Sequence, residues 1–266
     1  MTSIGALGEN YQKFNPRAYL QNNYMPPRAD FSSEDCAVPW KMRCLAEAFA
    51  TGEIRGRTLI DIGSGPTIYQ LLSACDHFEE IILTDYLEVN RQVLRRWLHE
   101  DPGGFDWSPY FKHACSLEGK GEHWKEKAQK LREKVKRVLP IDIHQAQPLG
   151  PSTLLEPADA LVSAFCLEAS SPDLESFQRA LANVTTLLKP GGHFLMIGAL
   201  EESYYLAGEA KLQVVPVTEA DVKETLVRSG YRICQFRAYI MPPSLKIGVD
   251  DVRGIFFVNA QKQECQ

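Results

Sequence analysis

The sequence predicts an α/β fold in which helices cover both faces of a mainly parallel sheet. Short apolar runs alternate with helical patterns along most of the chain, and a Gly-Ser-Gly turn directly follows the first predicted strand. The last two apolar runs follow each other without a helix between them. Alternating strands and helices favour parallel pairing, whereas consecutive strands favour an antiparallel strand at one edge of the sheet.

The predicted strands are short runs rich in apolar residues. They occupy residues 57–63, 80–86, 135–143, 159–165 and 193–200, with later candidates at 211–217, 231–241 and 254–262. The predicted helices carry apolar residues at spacings of three and four. They occupy residues 40–52, 66–75, 88–100, 122–137, 171–192 and 219–230.

Local signals support the first three helices. The helix over 40–52 has an apolar stripe and stops at a glycine, which is a common helix end. Pro66 suits the first turn of the helix over 66–75, because the N–H that proline lacks is not needed there. The helix over 88–100 has an apolar side made of Val89, Val93, Leu94 and Trp97.

Two later helices carry comparable signals. The charged segment 122–137 has an apolar stripe of Trp124, Ala128, Leu131 and Val135. Its interspersed acids favour a solvated helix face over a nucleic-acid face; they are Glu122, Glu126 and Glu133. Asp173 can cap the helix over 171–192, and the Pro-Gly-Gly at residues 190–192 predicts where that helix ends.

We expect one domain over residues 1–266. The N-terminal residues 1–40 mix aromatic residues and prolines without a long period, and we expect them to form an added cover over the ligand site. A small insertion is predicted at about 201–217, between the fifth strand and the last helix.

Composition limits the classes of partner and location. The chain has 266 residues, 44% of them hydrophobic, and a net charge of −5, so its bulk charge does not favour a nucleic-acid partner. No apolar run approaches the roughly 20 residues that a membrane span needs. The N-terminus does not have the pattern of a signal peptide. Seven dispersed cysteines without a C-x-x-C pair favour free thiols in the cytosol, and no metal site is expected.

The turn after the first strand points to a nucleotide without phosphate. Gly63 and Gly65 allow close approach of the backbone to a ligand. A dinucleotide fingerprint would need glycine where Ile68 stands, and a phosphate loop would need a lysine that is absent. Asp61 would repel a phosphate, and it suits a ligand with an ammonium group. S-adenosylmethionine (SAM) has that group and no phosphate.

Two further acids stand at predicted strand ends. Asp85 ends the second strand, where a carboxylate can accept both hydroxyls of a ribose. Asp142 lies at the end of the third strand, where it could accept from the amino group of adenine. Three acids at three successive strand ends therefore favour SAM as the cofactor.

Several segments resemble the class I SAM-dependent methyltransferases. "DIGSGPT" is similar to their first motif, with Thr67 in place of its final glycine, and "LLKPGGHFLMIG" is similar to a later segment. "YQKFNPRAYLQNNY", "LTDYLEVNRQ", "DALVSAFCLEA", "GALEESYYLAGE" and "GVDDVRGIFF" resemble the small-molecule amine N-methyltransferases, the family of nicotinamide, indolethylamine and phenylethanolamine enzymes. The similarity extends from Tyr11 to Lys262. It implies a Rossmann-like class I methyltransferase fold with a seven-stranded sheet.

The resemblance also implies which residues bind SAM. The N-terminal cover would close over SAM through Tyr11, Tyr19 and Tyr24. The methionyl end would be lined by Gly63, Gly65, Thr67 and Tyr69. Ribose and adenine would be held by Asp85, Tyr86, Asn90, Asp142, Ile143 and Ala164. Thr67 has two open roles: its hydroxyl contacts the SAM carboxylate, or the position only tolerates a threonine.

Methylation of an amine requires groups that bind an ammonium and accept its proton. An alkylamine resembles lysine, so roughly one molecule in a thousand is neutral at pH 7. Glu168 and Glu202 follow the fourth and fifth strands on the ligand side, and carboxylates suit both tasks. Periodicity does not separate Glu201 from Glu202, whereas the resemblance selects Glu202. It also implies that Asp250 meets the amine or a β-hydroxyl.

The resemblance implies the rest of the substrate site. Asn23 and Phe165 would sandwich an aromatic ring, and Lys41 would reach the ring hydroxyls. Tyr205 and Met241 would complete the wall, and Arg28 would border the entrance.

The predicted activity is methyl transfer from SAM to the amine of a phenylethanolamine such as noradrenaline, giving adrenaline and S-adenosylhomocysteine. The acid set favours an amino alcohol over a pyridine nitrogen. Tryptamine-like amines, a SAM-binding protein without turnover, and a nicotinamide-dependent oxidoreductase are the alternatives.

Overall fold

A computed structural model describes residues 3–33, 35–121, 123–153 and 155–264. Its main sheet contains β1 (Gly56–Ile62), β2 (Phe78–Asp85), β3 (Val135–Pro140), β4 (Ala158–Ala164), β5 (Leu188–Leu200), β8 (Tyr231–Ile240) and β9 (Gly254–Lys262). A separate hairpin consists of β6 (Tyr204–Ala207) and β7 (Ala210–Gln213). The helices are α1 (Ile4–Tyr11), α2 (Pro16–Asn23), α3 (Ala37–Ala50), α4 (Glu88–Leu98), α5 (Ser108–Leu117), α6 (Trp124–Lys134), α7 (Leu174–Thr185) and α8 (Glu219–Arg228).

The main sheet has the strand order β3-β2-β1-β4-β5-β9-β8. The pairs among β1 to β5 are parallel, and β9 is antiparallel to both of its neighbours. This confirms a mainly parallel seven-stranded sheet with an antiparallel strand on one side. The strand order reverses at β1, between β2 and β4, where a ligand crevice is expected at the carboxyl ends of the strands.

Burial explains why the central strands were recognisable from the sequence. β1, β2, β4 and β5 are covered on both faces, so their side chains are apolar almost without alternation. One core packs α3, α5 and α6 against one face, and a second core packs α7 and α8 against the other. Helices therefore cover both faces, as predicted. Within the described ranges, no helix is long and apolar enough to cross a membrane.

The predicted helix over 66–75 is wrong. Only two short 3₁₀ turns form there, at Tyr69–Leu71 and Ala74–Asp76. The amide of Gln70 donates to the carbonyl oxygens of Ser64 and Thr67, at 3.4 and 3.2 Å. Side-chain bonds of this kind compete with the helical backbone pattern, and the segment is buried on all sides rather than along one stripe.

Other boundaries also differ from the prediction. The helix over 171–192 ends at Thr185, and the Pro-Gly-Gly of residues 190–192 lies inside β5. A Cβ at Gly192 would lie 2.8 Å from the Asp159 carbonyl oxygen, so this glycine serves the close approach of β4. Val89 is 41% exposed and does not join the buried side of α4. The candidate strand at 211–217 forms only the short β7, which pairs with β6 outside the main sheet.

The N-terminal residues contain two helices that the apolar pattern did not predict. Asn15 caps α2 by accepting from the Ala18 N–H at 3.0 Å, and Pro16 occupies its first position. Asn22 donates to the Leu206 carbonyl oxygen at 3.1 Å, which joins α2 to the β6–β7 hairpin. The cap-and-proline signal was present in the sequence, but the helices are only eight residues long. Helix α5 was likewise not predicted. Glu122 and Cys265 lie outside the described residues.

Candidate active site

The glycine turn after β1 has the backbone that its sequence requires. Gly63 and Gly65 have φ values of 64° and 60°, in the left-handed region that favours glycine. A Cβ at Gly63 would lie 2.2 Å from Cys166 Sγ, whereas a Cβ at Gly65 would have no neighbour within 4 Å. Gly63 is thus required by packing as well as by conformation, and Gly65 leaves open space beside the backbone.

Asp85 fastens this turn to the end of β2. Its carboxylate accepts from the Gly65 N–H at 2.7 Å, the Leu87 N–H at 2.9 Å and the Asn90 amide at 3.1 Å. Burial raises the pKa of Asp85, against the lowering effect of these donors. Asn90 Oδ1 is buried without a hydrogen-bond partner in the described part of the chain, so it is an acceptor that a ligand could use.

Asp61 and Thr67 belong to a buried network beneath the turn. Asp61 is fully buried and accepts from the Gln70 amide at 2.8 Å, while its second oxygen has no partner among the described residues. Burial raises the pKa of Asp61 to about 7. The Thr67 hydroxyl lies 2.9 Å from the Ser64 carbonyl oxygen and 3.0 Å from Gln70 Oε1. Asp61 is not a lining residue of the ligand cavity, whereas Thr67 is.

A first cavity opens at the carboxyl ends of β1, β2 and β4. Eleven of the thirteen residues predicted to bind the cofactor line it: Tyr11, Tyr19, Gly63, Gly65, Thr67, Asp85, Tyr86, Asn90, Asp142, Ile143 and Ala164. Tyr24 and Tyr69 do not line it; Tyr24 lines the neighbouring second cavity instead, and its ring centroid lies 5.2 Å from that of Tyr69. The sequence did not single out Leu7, Phe14, His144, Cys166 and Ser170, which also line the cavity.

The N-terminal cover is anchored at this cavity by the hydroxyl group of Tyr11. The Tyr11 hydroxyl donates to the Ala169 carbonyl oxygen at 2.9 Å and lies 3.0 Å from the Tyr205 hydroxyl. A carbonyl oxygen can only accept, so the proton between the two tyrosines comes from Tyr205. His144 Nε2 lies 2.7 Å from the Ser170 carbonyl oxygen. The loop after β4 therefore holds both the cover and the loop after β3.

A second cavity adjoins the first. All eight residues predicted to bind the substrate line it: Asn23, Arg28, Lys41, Phe165, Glu202, Tyr205, Met241 and Asp250. Tyr19, Phe165 and Tyr205 line both cavities and form the wall between them. Phe165 has a φ of 53°, unusual for a residue other than glycine and typical of constrained functional positions.

The acids of the second cavity have different environments. Asp250 makes a two-bond ion pair with Arg28, at 2.5 and 2.9 Å, so its charge is already balanced. Glu202 is buried, and its pKa is raised by burial and then by Asp250, Glu168 and Asp251. Glu202 forms no ion pair among the described residues, and Arg28, the nearby positive charge, is already paired with Asp250.

Glu168 lies close to the cavities but is not a lining residue. Its carboxyl is buried, and Oε1 accepts from the Ala199 N–H at 2.8 Å. Burial raises the pKa of Glu168 to about 7. The predicted contact of Glu168 with an amine remains a prediction.

Lys41 occupies a box of aromatic rings at the second cavity. Its Nζ lies 4.8 Å from the ring centroid of Tyr24, 4.7 Å from that of Tyr69 and 4.8 Å from that of Phe165. These rings favour the cation, but burial and the nearby charge of Arg28 lower the pKa of Lys41 to about 7. The second cavity therefore contains one acid and one lysine that form no ion pair with any described residue, Glu202 and Lys41.

The strand order and the crevice give the chain the fold of the class I SAM-dependent methyltransferases. One structure with this fold is the magnesium protoporphyrin IX methyltransferase of Synechocystis PCC 6803 with bound SAM, at a TM-score of 0.56 and 12% identity, covering 98% of this chain and 97% of that one. A model of the NNMT/PNMT/TEMT family matches residues 4–263, and the chain belongs to that family.

Two curated relatives are similar over nearly their whole length. The phenylethanolamine N-methyltransferase of Homo sapiens is 67% identical over 260 residues, covering 97% of this chain and 92% of the relative. The indolethylamine N-methyltransferase of Oryctolagus cuniculus is 40% identical over 257 residues, covering 96% of each. The family expected from the motifs is confirmed.

Proposed function

We propose that this chain transfers the methyl group of SAM to the amine of a phenylethanolamine, such as noradrenaline. The observation that supports the proposal is a pair of adjoining cavities. The buried acid Glu202 lines the second cavity, and Phe165 lines both. The 67% identity to a phenylethanolamine N-methyltransferase supports this amine class over that of the 40% identical indolethylamine enzyme.

The residues of the first cavity fit SAM. Gly65 leaves open space beside the backbone, Asn90 offers an unused acceptor, and Tyr11 and Tyr19 bring aromatic faces suited to a sulfonium. Asp85 and Asp142 provide acceptors for the ribose and the adenine. When bound, SAM supplies an electrophilic methyl group for in-line displacement by the amine.

The residues of the second cavity bind and deprotonate the amine. Glu202 attracts the ammonium and accepts its proton, directly or through water, which frees the nitrogen lone pair. Phe165 and Asn23 hold the aromatic ring, and Lys41 faces its hydroxyl groups. Asp250, balanced by Arg28, meets the β-hydroxyl. Holding the nitrogen about 3 Å from the methyl carbon supplies much of the rate enhancement.

The proposal is tested with purified protein, SAM and single amines, by mass spectrometry of the products. A phenylethanolamine should gain one methyl group, with an equal amount of S-adenosylhomocysteine. Absence of any methylated amine despite SAM binding would indicate a binding protein without turnover. Binding of NADH without binding of SAM would instead support the hypothesis of a nicotinamide-dependent oxidoreductase.

We also propose that the chain is a single domain working in the cytosol. The six cysteines within the described ranges are all free thiols, as is usual in a reducing compartment. The partner expected from the second cavity is a small aryl-ethanolamine.

A further inference from the structure

The Glu202 carboxylate lies at the second cavity without a hydrogen bond from any described residue. The side chain is buried, yet no group in the described part of the chain donates a hydrogen bond to it. A carboxylate with no partner takes its position from the backbone that carries it. The backbone at residues 201–204 therefore sets the position of this carboxylate.

Asp251, which does not line the second cavity, fixes that backbone through three hydrogen bonds. One of its oxygens accepts from the Ser203 N–H at 2.8 Å and the Tyr204 N–H at 3.2 Å. The other accepts from the Ser203 hydroxyl at 2.5 Å. These donors directly follow Glu202 in the chain. Although burial opposes it, hydrogen bonding from Ser203 holds the pKa of Asp251 below its usual range, so it is ionised at neutral pH.

The residue before Glu202 is fixed as well. Glu201 has a φ of 50°, and its N–H donates to the Val217 carbonyl oxygen at 2.9 Å. Arg253 donates to the Glu201 carboxylate at 2.9 Å. The turn is thus joined on both sides of Glu202, and Asp251 and Arg253 come from the same loop that carries Asp250.

That shared loop links the two acids of the second cavity. Asp250 forms a β-bridge with Tyr205, and Asp251 binds the two residues that precede Tyr205. The loop that carries Asp250 therefore also anchors the turn that carries Glu202. Asp251 itself is not a lining residue of the second cavity.

We propose that Asp251 is a positioning residue, which holds Glu202 at the amine site by anchoring the turn over residues 201–204. The inference rests on the proposed function, because it assigns Glu202 to the amine. It predicts that Asp251→Ala lowers kcat for amine methylation about 10- to 100-fold, since a misplaced acid loses the alignment that the reaction needs. The dissociation constant for SAM should stay unchanged, because neither Asp251 nor Glu202 lines the first cavity.

The conservative variant separates position from charge. Asp251→Asn keeps an acceptor oxygen for the two N–H groups, so we expect it to restore most of kcat. Ser203→Ala removes only the hydroxyl bond and should give a smaller loss than Asp251→Ala. Glu209→Ala changes an exposed acid in the turn between β6 and β7 and serves as the matched control. Equal kcat for Asp251→Ala and Glu209→Ala would overturn the inference.

A double-mutant cycle shows whether Asp251 acts through Glu202. In a Glu202→Gln background, adding Asp251→Ala should cost little more, because the group it positions is already disabled. The same fold-loss in both backgrounds would overturn the inference while leaving the proposed function standing. Full activity of Glu202→Gln alone would instead count against the proposed role of Glu202. If Asp251→Ala does not fold, the cycle is run with Ser203→Ala, with the same expected outcome.

Discussion

At the scale of single residues, the site depends on which buried charges are balanced. Asp250 is neutralised by Arg28, and Asp85 is satisfied by three donors, so both serve as fixed, polar walls. Glu202 has neither an ion pair nor a hydrogen bond in the described ranges, so an incoming ammonium is its natural partner. Binding an ammonium there replaces a costly buried charge with a pair.

Removing the charge of Glu202 should reduce turnover without reducing cofactor binding. Glu202→Gln keeps the shape of the side chain but cannot accept a proton, so kcat should fall about 10²- to 10⁴-fold. The SAM dissociation constant, measured by calorimetry, should stay within about twofold, because Glu202 does not line the first cavity. Turnover equal to that of the Glu209→Gln control would contradict the proton route.

Asp85 should have the opposite profile. Asp85→Ala removes an acceptor shared by Gly65, Leu87 and Asn90, and hydrogen bonds to a charged group contribute about 1.5–3 kcal/mol each. Binding of SAM should weaken by about 10- to 100-fold, corresponding to about 1.4 kcal/mol for each tenfold step. Asp85→Asn, which keeps one acceptor, should lose less. An unchanged dissociation constant for Asp85→Ala would remove this residue from the cofactor site.

At the scale of elements, the turn after β1 is set by close packing as much as by ligand contact. Gly63 and Gly65 share a left-handed backbone, but only Gly63 lies against Cys166. The loop after β4, which carries Cys166, also holds the cover through Ala169 and the loop after β3 through Ser170. Three segments of the first cavity therefore meet at one short loop.

The two glycines give a matched test of this arrangement. Gly65→Ala introduces backbone strain alone and should lower the free energy of unfolding by about 1–2 kcal/mol. Gly63→Ala adds a clash with Cys166 Sγ and should cost about 2–5 kcal/mol, read by urea unfolding. Cys166→Ala should recover part of the Gly63→Ala loss and none of the Gly65→Ala loss. Equal losses for the two glycine variants would contradict the packing argument.

At the scale of the whole molecule, the fold brings buried acids together near the carboxyl ends of the parallel strands. Asp61, Glu168 and Glu202 are all buried, and burial raises the pKa of each. Stability of the ligand-free chain is lowered by these groups once they ionise, which is a cost of keeping a cation site ready.

Glu168 gives a pH dependence with a definite sign. Burial raises its pKa from 4.5 to about 7, so the stability it contributes is full below about pH 4.5 and is lost as the pH rises to about 7. By pH 8 the loss amounts to about 3 kcal/mol. Glu168→Gln removes the titration, so its free energy of unfolding relative to wild type should rise between pH 5 and pH 8 in urea titrations. Parallel curves for the two proteins would contradict the buried position of this carboxyl.

Much of the sheet and of the first cavity follows from sequence, for physical reasons. The central strands are buried on both faces, so their apolar runs are unambiguous. The cofactor acids stand at strand ends, which a parallel sheet brings to one edge. The prediction of a helix over 66–75 was wrong because the Gln70 amide donates to nearby backbone carbonyl oxygens. The spacing of apolar residues does not predict such a contact.

The second cavity depends on contacts between distant parts of the chain. Arg28 and Asp250 are separated by 222 positions and form a close pair. The resemblance to a family named both residues, but it did not predict that they neutralise each other. Asp251 was not singled out at all, because its role appears only when its donors at Ser203 and Tyr204 are known.

The most direct test of the central claim is a competition between amines for SAM that carries a deuterated methyl group. Noradrenaline, its analogue without the β-hydroxyl, tryptamine and nicotinamide are supplied together at equal concentration, and labelled products are counted by mass spectrometry. We expect most of the label on noradrenaline, with a smaller share on its analogue. Preferential labelling of tryptamine or nicotinamide would contradict the assignment to phenylethanolamines.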